Sequence, residues 1–172
     1  MRTILISILF PVMVSIVASA RPIEKERIVI VELRVQKIAQ GPDDELCIFT
    51  EGNKGDENLK IIFRFPKAKI ERWSGGKGRY RFPAFLDPAT EETKRLLDEV
   101  LTRKFGAGEH RSLFKPRGYI ADCLKLPEEF GKKGGQIALI DPGLDDGGGW
   151  YIKIQYNPGD NSLILEISEL RA

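Results

Sequence analysis

The last forty residues constrain the fold most. From Trp150 to Tyr156 the apolar side chains Trp150, Ile152, Ile154 and Tyr156 take every second position, with Tyr151, Lys153 and Gln155 between them. Period two marks a strand with one buried face, because successive side chains point to opposite sides of a sheet. Asn157-Pro158-Gly159-Asp160-Asn161 supplies turn chemistry, and Leu163, Leu165 and Ile167 resume the alternation. Two such runs joined by a short polar turn read as an antiparallel hairpin.

The same period recurs upstream. Val29, Val31, Leu33 and Val35 alternate with Ile30, Glu32, Arg34 and Gln36, and Gly41-Pro42-Asp43-Asp44 stops that strand. Leu46–Thr50 reads as a second, short strand. Beyond the polar loop Glu51–Asn58, the residues Leu59, Ile61, Phe63 and Phe65 form another period-two face, closed by Pro66. Ile70–Trp73 and Arg79–Phe82 flank Ser74-Gly75-Gly76-Lys77-Gly78 as a hairpin with a five-residue loop. Tyr119–Leu124 and Gln136–Ile140 complete the set of strands.

Only one segment carries helical spacing. Leu97, Leu101 and Phe105 recur every fourth residue with Leu96 and Val100 beside them, one apolar stripe across Pro88–Phe105. Asp87 is the expected cap, Pro88 the tolerated first-turn proline, and Gly106 the stop. Glu91 and Glu92 near the start, with Arg103 and Lys104 near the end, suit the helix dipole. The expected fold is therefore α+β: a mostly antiparallel sheet with this helix, about residues 88–105, packed on it. A β-sandwich or barrel with the helix as a decoration is the alternative. No internal repeat and no interdomain linker is visible.

The N-terminus reads as an address. Thr3 to Ala20 carry no charge, a single Arg2 precedes them, and Ala18-Ser19-Ala20 offers a small-residue cleavage pattern. The apolar stretch Ile4–Ala18 is shorter than the roughly 20 residues a spanning helix needs. The expectation is a signal peptide over 1–20 and one exported globular domain over 21–172, secreted or in the periplasm or cell envelope, with an uncleaved anchor as the alternative. The composition of the 172 residues, 42% hydrophobic and 30% charged, excludes disorder, collagen and a coiled coil. Cys47 and Cys123 are the two cysteines, and in an oxidising compartment such a pair reads as a disulfide closing a long loop. Both lie in apolar, strand-like runs, so two buried unpaired thiols are the alternative.

Tests for catalytic chemistry find little. His110 is the single histidine and sits in the polar loop Gly106–Ser112, where it reads as solvated. No serine lies in a G-x-S-x-G elbow, and one histidine with two separated cysteines does not assemble a zinc site. The acidic, glycine-bearing loop that starts at Asp141 lacks calcium-loop spacing, since its third residue is Gly143 and its twelfth Ile152. Ser74–Gly78 is not a phosphate loop, because Glu71 stands where the first glycine is needed and Gly78 where Ser or Thr is needed. No cofactor, metal or nucleotide is expected. Carboxylates are plentiful, so a small extracytoplasmic hydrolase using them stays open.

Charge is segregated. Lys60, Arg64, Lys67, Lys69, Arg72, Lys77, Arg79 and Arg81 face one acid, Glu71, giving this window a net charge of +7 within a chain of +2. Phe63, Phe65, Trp73, Tyr80 and Phe82 interleave with the bases. The expected contact surface is Lys67, Lys69, Arg72, Trp73, Lys77, Arg79, Tyr80 and Arg81, a basic ribbon meeting an anionic polymer or an acidic protein surface. Two plainer readings compete: a solvated outer face whose aromatics point to the core, or neutralisation by acidic segments such as Asp43–Glu57. The expected function is a non-enzymatic, exported binding domain. The hydrolase and a structural, envelope-associated protein are the alternatives.

Overall fold

The alternating runs all become strands, and each pairs antiparallel with its neighbour in sequence. The computed structural model describes residues 27–72, 78–106, 113–142 and 148–171. Its strands are β1 (Ile28–Gly41), β2 (Glu45–Gly52), β3 (Lys60–Pro66), β4 (Glu71–Arg72), β5 (Tyr80–Pro88), β6 (Tyr119–Cys123), β7 (Gly135–Ile140), β8 (Gly148–Asn157) and β9 (Ser162–Arg171). Helix α1 (Glu91–Phe105) joins β5 to β6, and helix α2 (Pro127–Lys133) joins β6 to β7. Two further pairings close the sheet on itself. Strand β9 pairs with β1, from Ile28↔Ser168 to Arg34↔Ser162, and β3 pairs with β5, from Ile61↔Pro88 to Arg64↔Phe85. The result is an eight-stranded meander barrel, with β4 as an extra strand held only by β5.

This is the barrel alternative rather than an open sheet carrying a helix. The reason lies in area. An α-helix of 15 residues covers roughly 22 Å by 10 Å, whereas eight strands side by side span about 38 Å. One helix cannot bury the apolar face of so wide a sheet, and closure lets the strands bury it against one another. Eight strands enclose an interior that side chains can fill. Here Leu33, Ile48, Phe63, Phe65, Phe82, Ile137, Ile152 and Leu165 point inward and are essentially inaccessible. The outer wall carries charge, including the cross-strand pairs Arg34–Glu51 and Lys153–Glu166, the reverse of a lipid-facing barrel. Among the described residues no helix is long and apolar enough to cross a membrane.

Both ends are stoppered. At the rim where β1 begins, α1 packs against β1 and β5, burying Leu97, Leu101 and Phe105, and the Phe105 ring meets Trp150 edge-on at 5.5 Å. At the other rim α2, which the sequence reading did not anticipate, inserts Phe130 between Phe65 (6.5 Å) and Tyr156 (6.0 Å). Gly134 ends α2 at φ +64, and a side chain there would collide with the Tyr156 carbonyl and Pro158.

One boundary differs from expectation. Helix α1 starts at Glu91 with Thr90 as its cap, its hydroxyl accepting from the Thr93 N–H, because Asp87 and Pro88 are still in β5, opposite Ile62 and Ile61. Strand β1 ends at Gly41, where the Gly41–Asp44 stop was expected, and a bulge between Val35 and Lys37 carries it past the alternating run by shifting the register and returning Ile38 to the inner face opposite Ile48.

Candidate functional site

The basic window folds into one wall of the barrel and an arm that leaves it. Strand β3 pairs with β5 as far as Arg64↔Phe85, and the chain returns to the same edge of β5 as β4, at Glu71↔Arg81 and Arg72↔Tyr80. Phe65–Ile70 thus stand against only Phe82–Ala84, and the surplus is taken up by a 3-10 turn over Lys67–Lys69. Alternation sends Phe63, Phe65 and Phe82 into the interior and packs Tyr80 against its margin. Arg79 and Arg81 take the outer face. Trp73 and Lys77 lie outside the described residues.

Acids from other elements then claim half of the bases. Arg64 donates through Nε and Nη2 to both oxygens of Glu45 (2.8 and 2.7 Å), and through Nη1 to Asp87 (2.8 Å), while its plane lies 5.7 Å from the Phe85 ring. Those hydrogen bonds lift its pKa well above the ordinary guanidinium value, the Glu45 bond foremost. Lys67 bridges Glu128 (2.6 Å) and Asp44 (3.3 Å). The Glu128 hydrogen bond raises the Lys67 pKa, and the same bond lowers that of Glu128. Arg79 donates to Asp122 at 2.5 Å, and Arg81 lies 3.9 Å from the other oxygen of that carboxylate. Lys60, Lys69 and Arg72 are exposed and make no ion pair among the described residues. Lys60 stands at the opposite rim, at the start of β3. Lys69 ends the 3-10 turn and Arg72 ends β4.

The expected ribbon is therefore divided. Lys67, Arg79 and Arg81 belong to internal pairs, Tyr80 to the core margin, and Lys69 and Arg72 to an exposed arm. Asp44 and Glu45 come from the acidic segment expected to neutralise the ribbon. Asp87 and Asp122 carried no local signal as partners, because only the register of β5 against β3 and β6 brings them to Arg64 and Arg79.

The disulfide is corrected. Cys47 and Cys123 are both free, buried and far apart. Strands β3 and β5 separate β2 from β6 in the ring, and the two thiols face opposite sides of it. Cys47 looks outward beside Arg64 and Gly41, which has no side chain to obstruct the sulfur. Cys123 looks inward, donating to the Gln136 carbonyl at 3.4 Å and accepting from the Lys125 N–H at 3.3 Å. Burial raises both thiol pKa values, and at Cys47 the Glu45 carboxylate adds to it.

The acidic loop after β7 has a structural task at its first residue. Asp141, 2% exposed, pairs with Lys115 and accepts from the Trp150 N–H at 3.3 Å, so it ties the start of β8 to the end of β7. Residues 143–147 of that loop, His110 and the segment 1–20 expected to be a signal peptide lie outside the described residues. Among the described residues no three His, Cys, Asp or Glu side chains gather as a metal site. The buried carboxylates Glu45, Asp122 and Asp141 each rest on a cation. Comparison of the chain with protein-family models, with curated proteins and with solved structures returns no match.

Proposed function

We propose that the chain is an exported, non-enzymatic binding domain that meets an anionic polymer or an acidic protein surface through the arm between β3 and β5. The observation that carries this reading is the distribution of charge once internal pairs are removed. Arg64, Lys67, Arg79 and Arg81 are spent on acids of the same fold, while Lys69, in the 3-10 turn, and Arg72, in β4, stand exposed and without an ion pair among the described residues. Exposed cations gathered on a projecting element set up a local positive field, which speeds and orients encounter with an anionic surface. The packed interior and the ion-paired buried carboxylates favour a binding role over carboxylate hydrolysis.

The test compares two double variants on a sulfated polysaccharide column. Lys69→Gln with Arg72→Gln should elute at clearly lower salt than wild type and unfold at the same temperature, since screened surface charges act on binding more than on folding. Arg79→Gln with Arg81→Gln should instead lower stability, because it leaves the mostly buried Asp122 without its cations. Elution of the Lys69/Arg72 variant together with wild type sinks the proposal.

A further inference from the structure

The stripe on α1 is wider than the barrel covers. Leu97 and Leu101 are sealed against the rim, but Leu96 is only half-buried and Val100 is 39% exposed. Opposite them on β1, Ile30 is 63% exposed, the most open large apolar side chain among the described residues. The loop between β2 and β3 closes the third side. Together these elements enclose a half-open groove of about 570 Å³.

Its chemistry is lopsided in a useful way. Helix α1 and β1 contribute an apolar floor, and Glu32, Asn53 and Asp56 contribute a polar wall; among the described residues no lysine or arginine lines it. That wall is pinned before any ligand arrives. Asn53 Nδ2 donates to Glu32 Oε2 at 3.2 Å, the Asp56 N–H donates to the Asn53 carbonyl at 2.8 Å, and the Leu59 N–H donates to the Asp56 carbonyl at 2.9 Å. A volume of this size falls in the range of small-molecule sites, about 300–1,000 Å³. A protein partner would need a far larger patch, about 800 Å² on each side.

We propose that this groove binds a small cationic amphiphile, its aliphatic chain on Ile30, Leu96 and Val100 and its ammonium head facing Glu32 and Asp56. The apolar floor removes the chain from water. The two carboxylates select the head by sign: they attract a cation and repel an anion at the mouth of the groove. An uncharged amphiphile gains the floor alone. The site lies at the rim opposite the Lys69–Arg72 arm and has the opposite charge, so it stands independently of the anionic-partner reading.

Titration calorimetry on the full chain tests it, with decyltrimethylammonium below its micelle concentration as probe and decyl sulfate and decyl maltoside as comparisons. The expected result is saturable one-to-one binding of the ammonium, at least about tenfold tighter than either comparison, the ratio one charge interaction of about 1.4 kcal/mol provides. Val100→Lys, a change at an exposed helical position, should abolish binding without lowering the melting temperature. Ile30→Lys on the facing wall should do the same, and serves if the helix variant does not fold. Glu32→Gln with Asp56→Asn should bring the ammonium down to the affinity of the maltoside. Lys69→Gln with Arg72→Gln should change nothing here. Decyl sulfate binding as tightly as the ammonium, undiminished binding in both lysine variants, or no saturable binding to wild type would each overturn the proposal.

Discussion

A thiol that points into the barrel and a thiol that points out of it are both held protonated by burial, as are the phenols of Tyr119 and Tyr156. Each of these groups keeps its proton to higher pH in the folded chain than in the unfolded one. Folding therefore binds protons above the ordinary thiol pKa of about 8.5, and these groups leave stability flat from about pH 7 to near that value and make it fall above it. Each such group steepens the fall by up to about 1.4 kcal/mol per pH unit. Urea unfolding from pH 7 to 10.5 measures the slope, and Cys123→Ala should flatten it between pH 9 and 10.5. A slope unchanged by that substitution would show that the thiol is not held as described. The residue scale was also where the sequence was least informative about the site. The eight bases of the window were legible, as was the acidic segment that supplies Asp44 and Glu45, but Asp87 and Asp122 were not, because they reach Arg64 and Arg79 only across strand pairings.

Helix α1 depends on its first turn more than its apolar stripe implies. Thr93 is fully buried; its hydroxyl accepts from the Lys60 N–H at 2.9 Å and donates to the Asn58 carbonyl at 3.0 Å, so the helix start is stitched to the start of β3. Thr93→Val keeps the shape and leaves both backbone groups unmet, at a cost of about 2 kcal/mol. Thr90→Ala removes the cap, about 1 kcal/mol, with a hydroxyl contact to Thr93, and leaves the Thr93 bonds to Lys60 and Asn58 in place. Thermal unfolding of the two variants should rank them in that order, and a smaller loss at Thr93 would argue against the stitch. Elements with a clean period were readable from sequence, with β8 and β9 the plainest cases. Three features were not. The bulge in β1 shifts the inward alternation by one residue, so the pattern stops at Gln36 although the strand does not. Asp87-Pro88 resembles a helix start, but the ladder with β3 claims both residues. Helix α2 spans seven residues and buries only Pro127 and Phe130, too few positions to show a period.

Closure belongs to the whole molecule, and no window of sequence contains it. The inward positions of all eight ring strands share one interior, and Phe65 stands near its second rim, edge-on to Phe82 at 5.8 Å and in contact with Phe130 of the stopper helix. Phe65→Ala should cost about 3–5 kcal/mol. Ile62→Ala, on the outer wall of the same strand, should cost about 1 kcal/mol or less. Equal losses in chemical denaturation would mean that the inner and outer faces had been misassigned. The seam between β1 and β9 carries a further consequence, one of timing. Strands β2 to β8 each find their partners within one or two strands along the chain, but β1 keeps an open edge until β9 has emerged. Contacts between the two ends of a chain are the slowest to form, and an unpaired edge is open to foreign strands while it waits. The ring closes only when β9 arrives, and its most vulnerable interval lies between the emergence of β1 and that arrival.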